Sequence, residues 1–102
     1  MEINKNSFEK EVINEKGLVL VDFYADWCAP CMMLKQSLQE IEKSHKIKIC
    51  KINVDNEPEL AVKFGVSSIP HVIFYKDGKK YDGFLGYHTT EEIEKIIKKI
   101  GE

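Results

Sequence analysis

Two cysteines separated by two residues stand at a change of pattern, in Ala25-Asp26-Trp27-Cys28-Ala29-Pro30-Cys31. A thiol is a poor nucleophile and its thiolate a good one, so the surroundings of the sulfur decide its chemistry. An apolar run precedes this stretch and a helical periodicity follows it. A helix beginning near Ala29 sets Cys28 at its N-terminal end, facing unpaired N–H groups and the positive end of the dipole. That setting favours the anion. At pH 7 a thiol of pKa ~8.5 is about 3% ionised, and each unit of depression multiplies that fraction by up to about ten. Cys31, one turn further in, is expected to be more buried and less reactive. Such a pair suits two-step exchange, in which Cys28 attacks a target disulfide and Cys31 then attacks the mixed disulfide and releases the reduced target.

Cys31 needs a base. Asp22 is the candidate, because a carboxylate in so apolar a run as Leu18-Val19-Leu20-Val21-Asp22-Phe23-Tyr24-Ala25 requires a reason. On a strand it shares a face with Leu20 and Tyr24, and burial there raises a carboxyl pKa toward neutrality. The alternative is a structural Asp satisfied by backbone N–H groups or paired with Lys51. A CxxC can also be half of a zinc site, but structural zinc wants four ligands, and Cys50, His45, His71 and His88 are scattered without ligand spacing. Cys50 reads most simply as a small buried hydrophobe. His45 and His88 read as structural or surface residues, and Met32 and Met33 as groove rim and core.

The elements that must position the dithiol follow from the pattern. Leu18 to Ala25 reads as a strand covered on both faces. Cys31, Leu34, Leu38 and Ile41 recur at spacings of three, four and three, the stripe of a long helix with Pro30 in its first turn. Ile47 to Asp55 is a second strand, and strand, helix, strand at this spacing predicts a βαβ crossover joining parallel strands. Upstream, Asn6 or Ser7 is expected to cap a short helix running to about Lys16, with Phe8 and Val12 buried and Gly17 as its stop. Glu2-Ile3-Asn4 is a candidate edge strand. Downstream, Asn56 caps a short helix with Pro58 near its start and Leu60 and Phe64 on one face. His71 to Lys76 and Lys79 to Leu85 form a hairpin about Asp77-Gly78. Thr89 with Glu92 makes a capping box for a last helix whose face is Ile93, Ile96, Ile97 and Ile100, ended by Gly101. The expected fold is α/β: a mixed central sheet of four to five strands with helices on both faces, one domain over residues 1–102.

Composition bounds the function classes. A chain of 102 residues, 43% apolar, makes one modest core. With a net charge of −2 and both signs interspersed, neither a nucleic acid nor a lipid surface is an expected partner. Met1-Glu2-Ile3-Asn4-Lys5 lacks an apolar leader segment and no run approaches a membrane span, so a cytoplasmic location is expected. Three cysteines do not make a disulfide framework. A monomer is expected for a chain of this size.

The sequence resembles the thioredoxin family over nearly its whole length, from about Ile3 to Ile100. The likeness is carried by Val21-Asp22-Phe23, Ala25, Trp27-Cys28-Ala29-Pro30-Cys31, Lys51-Ile52-Asn53-Val54-Asp55, Ile69-Pro70, Asp77-Gly78 and Gly86. The resemblance implies a thioredoxin fold and a protein-disulfide reductase, with Cys28 attacking, Cys31 resolving and Asp22 as the buried acid–base partner near Lys51. It implies a cis peptide bond before Pro70, which exposes the Ile69 backbone so that a target can pair with it as an added strand. Trp27, Pro30, Ile69 and Gly86 would line a shallow apolar groove. No cofactor is implied beyond the Cys28–Cys31 disulfide, no metal, and the partners are a thioredoxin reductase and disulfide-containing proteins. The chain departs from the commonest pattern at Ala29 (usually Gly), Met32 (often Lys), His71 (often Thr), Tyr24 (often Trp) and Gln36 (often a kinking Pro). Rival readings are a disulfide oxidase or isomerase, an interaction module with an incidental dithiol, and a metal carrier.

Overall fold

The apolar run becomes the central strand, β1 (Leu18–Tyr24), buried along almost its whole length. In the computed structural model, which describes residues 1–101, β1 is flanked by β2 (Lys48–Asn53), running parallel, and β3 (His71–Lys76), running antiparallel. An antiparallel β4 (Lys79–Leu85) completes a mixed sheet of order β2-β1-β3-β4. The β3–β4 hairpin turns on Asp77 and Gly78, at φ +51° and +81°. Two successive positive φ angles match the right-handed twist of the flanking strands. Gly78 has a second reason, since a Cβ there would collide with the Ile13 carbonyl.

Side-chain alternation sends the sheet's residues to two apolar layers. On one face Leu20, Val72, Phe74 and Phe84 pack with Leu34, Leu38 and Ile41 of α1 (Ala29–Ser44) and Ile93 and Ile97 of α3 (Thr90–Ile100). On the other, Val19, Val21, Phe23, Cys50, Ile52 and Ile73 pack with Phe8, Val12 and Leu60. Those last three belong to the N-terminal helical segment and to α2 (Pro58–Lys63). Helices therefore cover both faces, as the pattern predicts. The Thr89–Glu92 capping box forms reciprocally, and Gly101 ends α3 in the left-handed region.

The structure departs from expectation at element ends. Glu2 makes a single parallel bridge to Lys51 and not a strand, so the sheet has four strands with Met1–Ile3 laid along the outer edge of β2. The N-terminal segment is capped by Asn4, whose Oδ1 accepts from the backbone of Asn6 and Ser7, not by Asn6 or Ser7. Its Glu9–Ile13 stretch is wound as a π-helix, closed by Asn14 N donating to Glu9 O five residues back, and it stops short of Lys16. For α2 the cap position is Glu57, without a side-chain cap; Asn56 lies outside it. Met33 is exposed rather than core, because Cys31, Leu34 and Leu38 already occupy the inward stripe of α1.

Candidate redox site

The strand β1 ends at Tyr24, and the chain crosses four residues before α1 begins at Ala29. Cys28 is the N-cap of that helix, in extended geometry, and its Sγ accepts a hydrogen bond from Cys31 N at 3.2 Å. Pro30, in the first turn, removes a donor that would otherwise be unpaired. The first turn of α1 carries no acidic residue. Nothing there competes with a sulfur anion for the free N–H groups and the positive dipole end. The two sulfurs are joined as a disulfide, and Cys28 is 5% exposed against 1% for Cys31.

Beside the sulfurs, Ile69–Pro70 is a cis peptide bond, and Ile69 O lies 3.9 Å from Cys28 Sγ. Pro70 is buried, and its carbonyl accepts from Gly86 N at 2.8 Å, which ties the Pro70 loop to the end of β4. Trp27 is 72% exposed. Its indole Nε1 donates to Asp55 Oδ2 at 2.9 Å, and Asp55 N in turn donates to Asn53 Oδ1 at 2.9 Å. The ring therefore stands out from the surface at a set angle instead of collapsing onto it. Between Trp27 and Ile69 lies a mostly apolar hollow of about 190 Å³, completed by Val54, Ala61, Val66, Ser67 and Ser68. Pro30 and Gly86, expected to line the same groove, are not among its walls. A larger hollow of about 740 Å³ lies between Phe8, Ile13, Leu60 and Phe64, and no sulfur borders it.

Asp22 is wholly buried. Burial pushes its carboxyl up to about 7, against a smaller downward pull from the Lys51 ammonium. Neither carboxyl oxygen has a hydrogen-bond partner, and no ion pair forms with Lys51 although the two residues are partners across β1 and β2. In this structure Asp22 is therefore neither satisfied by backbone N–H groups nor paired with Lys51. Asp22 lies on the face covered by α1, one pleat beyond Leu20, as Cys31 lies one helical turn before Leu34. Because α1 returns across the sheet toward the start of β2, this offset brings the dithiol end of the helix over the Asp22 end of the strand.

Residues 1–99 match the thioredoxin family. The chain belongs to the thioredoxin family. It is 43% identical over 100 residues to a thioredoxin of Listeria monocytogenes, covering 96% of this chain and 95% of that one. A thioredoxin of Rickettsia bellii is 43% identical over 93 residues, 89% of each chain. Among solved structures, a mutant thioredoxin from Halobacterium salinarum superposes with a TM-score of 0.91 at 27% identity, over 100% of this chain and 90% of that one. Thioredoxins are thiol–disulfide oxidoreductases, and this chain, with Cys28 and Cys31 joined on a thioredoxin fold, is a protein-disulfide reductase working by dithiol–disulfide exchange.

The remaining candidates fall away from the chemistry. Cys50 is buried on the far face of the sheet. His45 pairs with Glu94 at 3.1 Å, and the His88 ring stacks on Phe84 with centroids 4.0 Å apart. Among the described residues no group of three or more His, Cys, Asp or Glu is arranged to hold a metal, and no helix is long and apolar enough to cross a membrane. Sequence reasoning missed the Asp55 acceptor for the Trp27 indole and the Ser67-Ser68 wall of the hollow. The first had a signal, an acid closing the run Asn53-Val54-Asp55; the second, two plain serines in a loop, had none.

Proposed function

We propose that Cys28 is the attacking and Cys31 the resolving sulfur of a cytoplasmic protein-disulfide reductase, with Asp22 as proton carrier for Cys31. In the first step the Cys28 thiolate attacks one sulfur of a target disulfide. A Cys28–target bond forms, the target S–S bond breaks, and the other target sulfur leaves with the electron pair and takes up a proton. In the second step Cys31 gives its proton to Asp22 and attacks Cys28 Sγ. The Cys28–Cys31 bond forms, the mixed disulfide breaks, and the second target sulfur leaves and is protonated. Two electrons pass to the target, and a dithiol of a partner reductase returns the protein to its starting state by the same exchange in reverse.

The observation that carries this assignment is Cys28 at the uncompensated N-cap of α1, its sulfur accepting the Cys31 N–H. The target lies against Trp27 and Ile69, which border the hollow, and against Pro30 and Gly86 outside it, while buried Pro70 sets the Ile69 backbone for strand-like pairing. Lys51 tunes Asp22. All 102 residues act as one monomeric domain, with no cofactor besides the disulfide, no metal, and neither nucleic acid nor membrane as a partner. The test uses insulin disulfides and a trapped target. Cys28→Ser should abolish turnover, and Cys31→Ser should accumulate mixed disulfides; accumulation with Cys28→Ser instead reverses the assignment. In single turnovers Asp22→Asn should slow release of the mixed disulfide more than the first attack.

A further inference from the structure

One row of residues crosses the sheet edge with alternating charge. Glu2 pairs with Lys51, and Lys51 pairs with Asp22, so all three side chains rise from the same face. Tyr24, two residues beyond Asp22, rises from that face too. Its hydroxyl donates to Glu2 Oε1 at 2.8 Å, and its ring lies under the Lys51 ammonium, 4.3 Å from Nζ to centroid. The backbone holds Glu2 in place: Lys51 N donates to Met1 O at 2.8 Å and Ile3 N to Lys51 O at 2.9 Å.

We propose that Glu2 and Tyr24 are positioning residues that keep the Lys51 ammonium on the Tyr24 ring and off the Asp22 carboxyl. The inference rests on the reading of Asp22 as proton carrier. Lys51 stands opposite Asp22 across the strand pair and pulls its carboxyl downward, so an ion pair between them is the arrangement to be explained away. Yet none forms, and both Asp22 oxygens stay unpaired. The competitor is visible. The ring face attracts the ammonium, and the Glu2 carboxylate fixes the ring by its hydroxyl. Room for movement exists, since a hollow of about 140 Å³ borders Lys51, lined also by Met1, Lys35, Leu38 and Glu42. Once paired with Lys51, Asp22 would be held ionised and would return its proton poorly; held apart, it can gain and lose one near neutrality.

The charged and titratable groups facing Asp22 are few. Lys51 on β2 and Glu2 on the N-terminal segment act on it directly, Tyr24 rises from the same face of its own strand, and Met1, Lys35 and Glu42 line the hollow that borders Lys51. β3 presents Val72, and α3 presents Ile93 and Ile97. Glu2 adds directly to the upward push on Asp22, and burial with the Glu2 hydrogen bond pushes the Tyr24 phenol up to about 12, so the hydroxyl remains a donor throughout the working range.

The experiment follows the ¹³C carboxyl resonance of Asp22 against pH in the reduced protein, alongside the pH midpoint of mixed-disulfide release. Tyr24→Phe keeps the ring and the net charge but frees it from Glu2; Glu2→Gln, at an exposed position, guards against a folding defect. Both should lower the Asp22 midpoint, on the order of half a pH unit or threefold in the ionised-to-protonated ratio. In a Lys51→Met background Tyr24→Phe should leave it unmoved. An unchanged midpoint in folded Tyr24→Phe, an equal Tyr24→Phe shift without Lys51, or a Glu2→Gln shift as large without Lys51 as with it overturns the proposal. The carbon resonance reports on Asp22 whether or not it carries the Cys31 proton. A release profile indifferent to Asp22→Asn would defeat that role alone.

Discussion

Asp22 and Cys50 sit one rung apart on adjacent strands, Asp22 opposite Lys51 and Cys50 opposite Val21, and both are fully buried. Burial pushes both groups up. The surroundings differ. Cys50 is enclosed by Val12, Val21, Ile52 and Ile73, where a neutral thiol behaves as a small hydrophobe. Asp22 is enclosed just as tightly, but by a face that ends in charge, with Lys51 and Glu2 in its row and the Cys31 end of α1 above it. The far face is mostly hydrocarbon, with polar groups at its margins, Lys48 at the rim and His71 beside Phe23. The near face carries an unsatisfied carboxyl that packing alone would not keep, and it does so at the end of the sheet where sulfur chemistry happens. A buried polar group without partners costs stability; among the described residues the near face carries a carboxyl of this kind, and the far face carries only the Nδ1 of His71, at its end beside Phe23.

The largest expected effect breaks this contrast at Asp22. With its carboxyl raised from 3.8 to about 7, the native state binds a proton that the unfolded chain does not across that interval. Stability is therefore fully present below pH 4 and is lost as pH rises toward 7. Asp22→Asn should remove the loss, adding on the order of 3–4 kcal/mol at pH 8 and nothing at pH 4. Urea unfolding of the oxidised protein at the two pH values measures it. An Asn variant less stable than the parent at pH 8 would show that Asp22 is held by partners in solution.

The matching change on the far face is smaller and has no pH signature. Cys50→Ser places a hydroxyl among hydrocarbon without a partner and should cost about 1–3 kcal/mol between pH 5 and 8. Disulfide exchange per folded molecule should be unchanged. Cys50→Val, close in volume, should cost under about 1.5 kcal/mol. An exchange rate lowered by Cys50→Val in fully folded protein would mean that the two faces are not separable as described.

Much of this division was legible in the sequence, and the reason is periodicity. The βαβ spacing, the Asp77-Gly78 hairpin and the Thr89–Glu92 box each rest on a local rule that tertiary packing did not override, and the structure has all three. What failed depended on competition among neighbours. Asn4, Asn6 and Ser7 are all good caps, and in the structure it is Asn4, directly after the Met1–Ile3 stretch bonded to β2, that accepts from the segment's first N–H groups. Met33 is as apolar as its neighbours, yet it falls outside a stripe that Cys31 and Leu34 already fill. At the site, the WCxPC spacing named the sulfurs. The freedom of Asp22 from Lys51 was not readable, because it turns on a ring and a carboxylate brought together from residues 24 and 2.

The smallest effect concerns the one charge that the far face does admit. Lys48 stands at its rim, one residue before Ile49, and reaches back to Glu11 at 2.6 Å and Glu15 at 2.9 Å. Here every charge has a partner. The Lys48 hydrogen bond holds the Glu11 carboxyl below its ordinary 4.5, against a smaller opposing effect of burial. A depressed carboxyl stabilises the fold above its unfolded pKa and stops doing so as pH falls through the native one, so this contribution disappears on acidification. Asp22 runs the other way, gaining on acidification between about 7 and 4. The parent protein should therefore be most stable at mildly acid pH. Glu11→Gln should lower the unfolding midpoint slightly at pH 7 and progressively less as pH falls below 4.5, an effect smaller than that of Cys50→Ser and weakened by salt. In the Asp22→Asn background the rise from pH 7 to 4 should vanish while the Glu11-dependent fall below pH 4 remains. Loss of both slopes together in Asp22→Asn would mean that one coupled network, not two independent faces, sets the pH response.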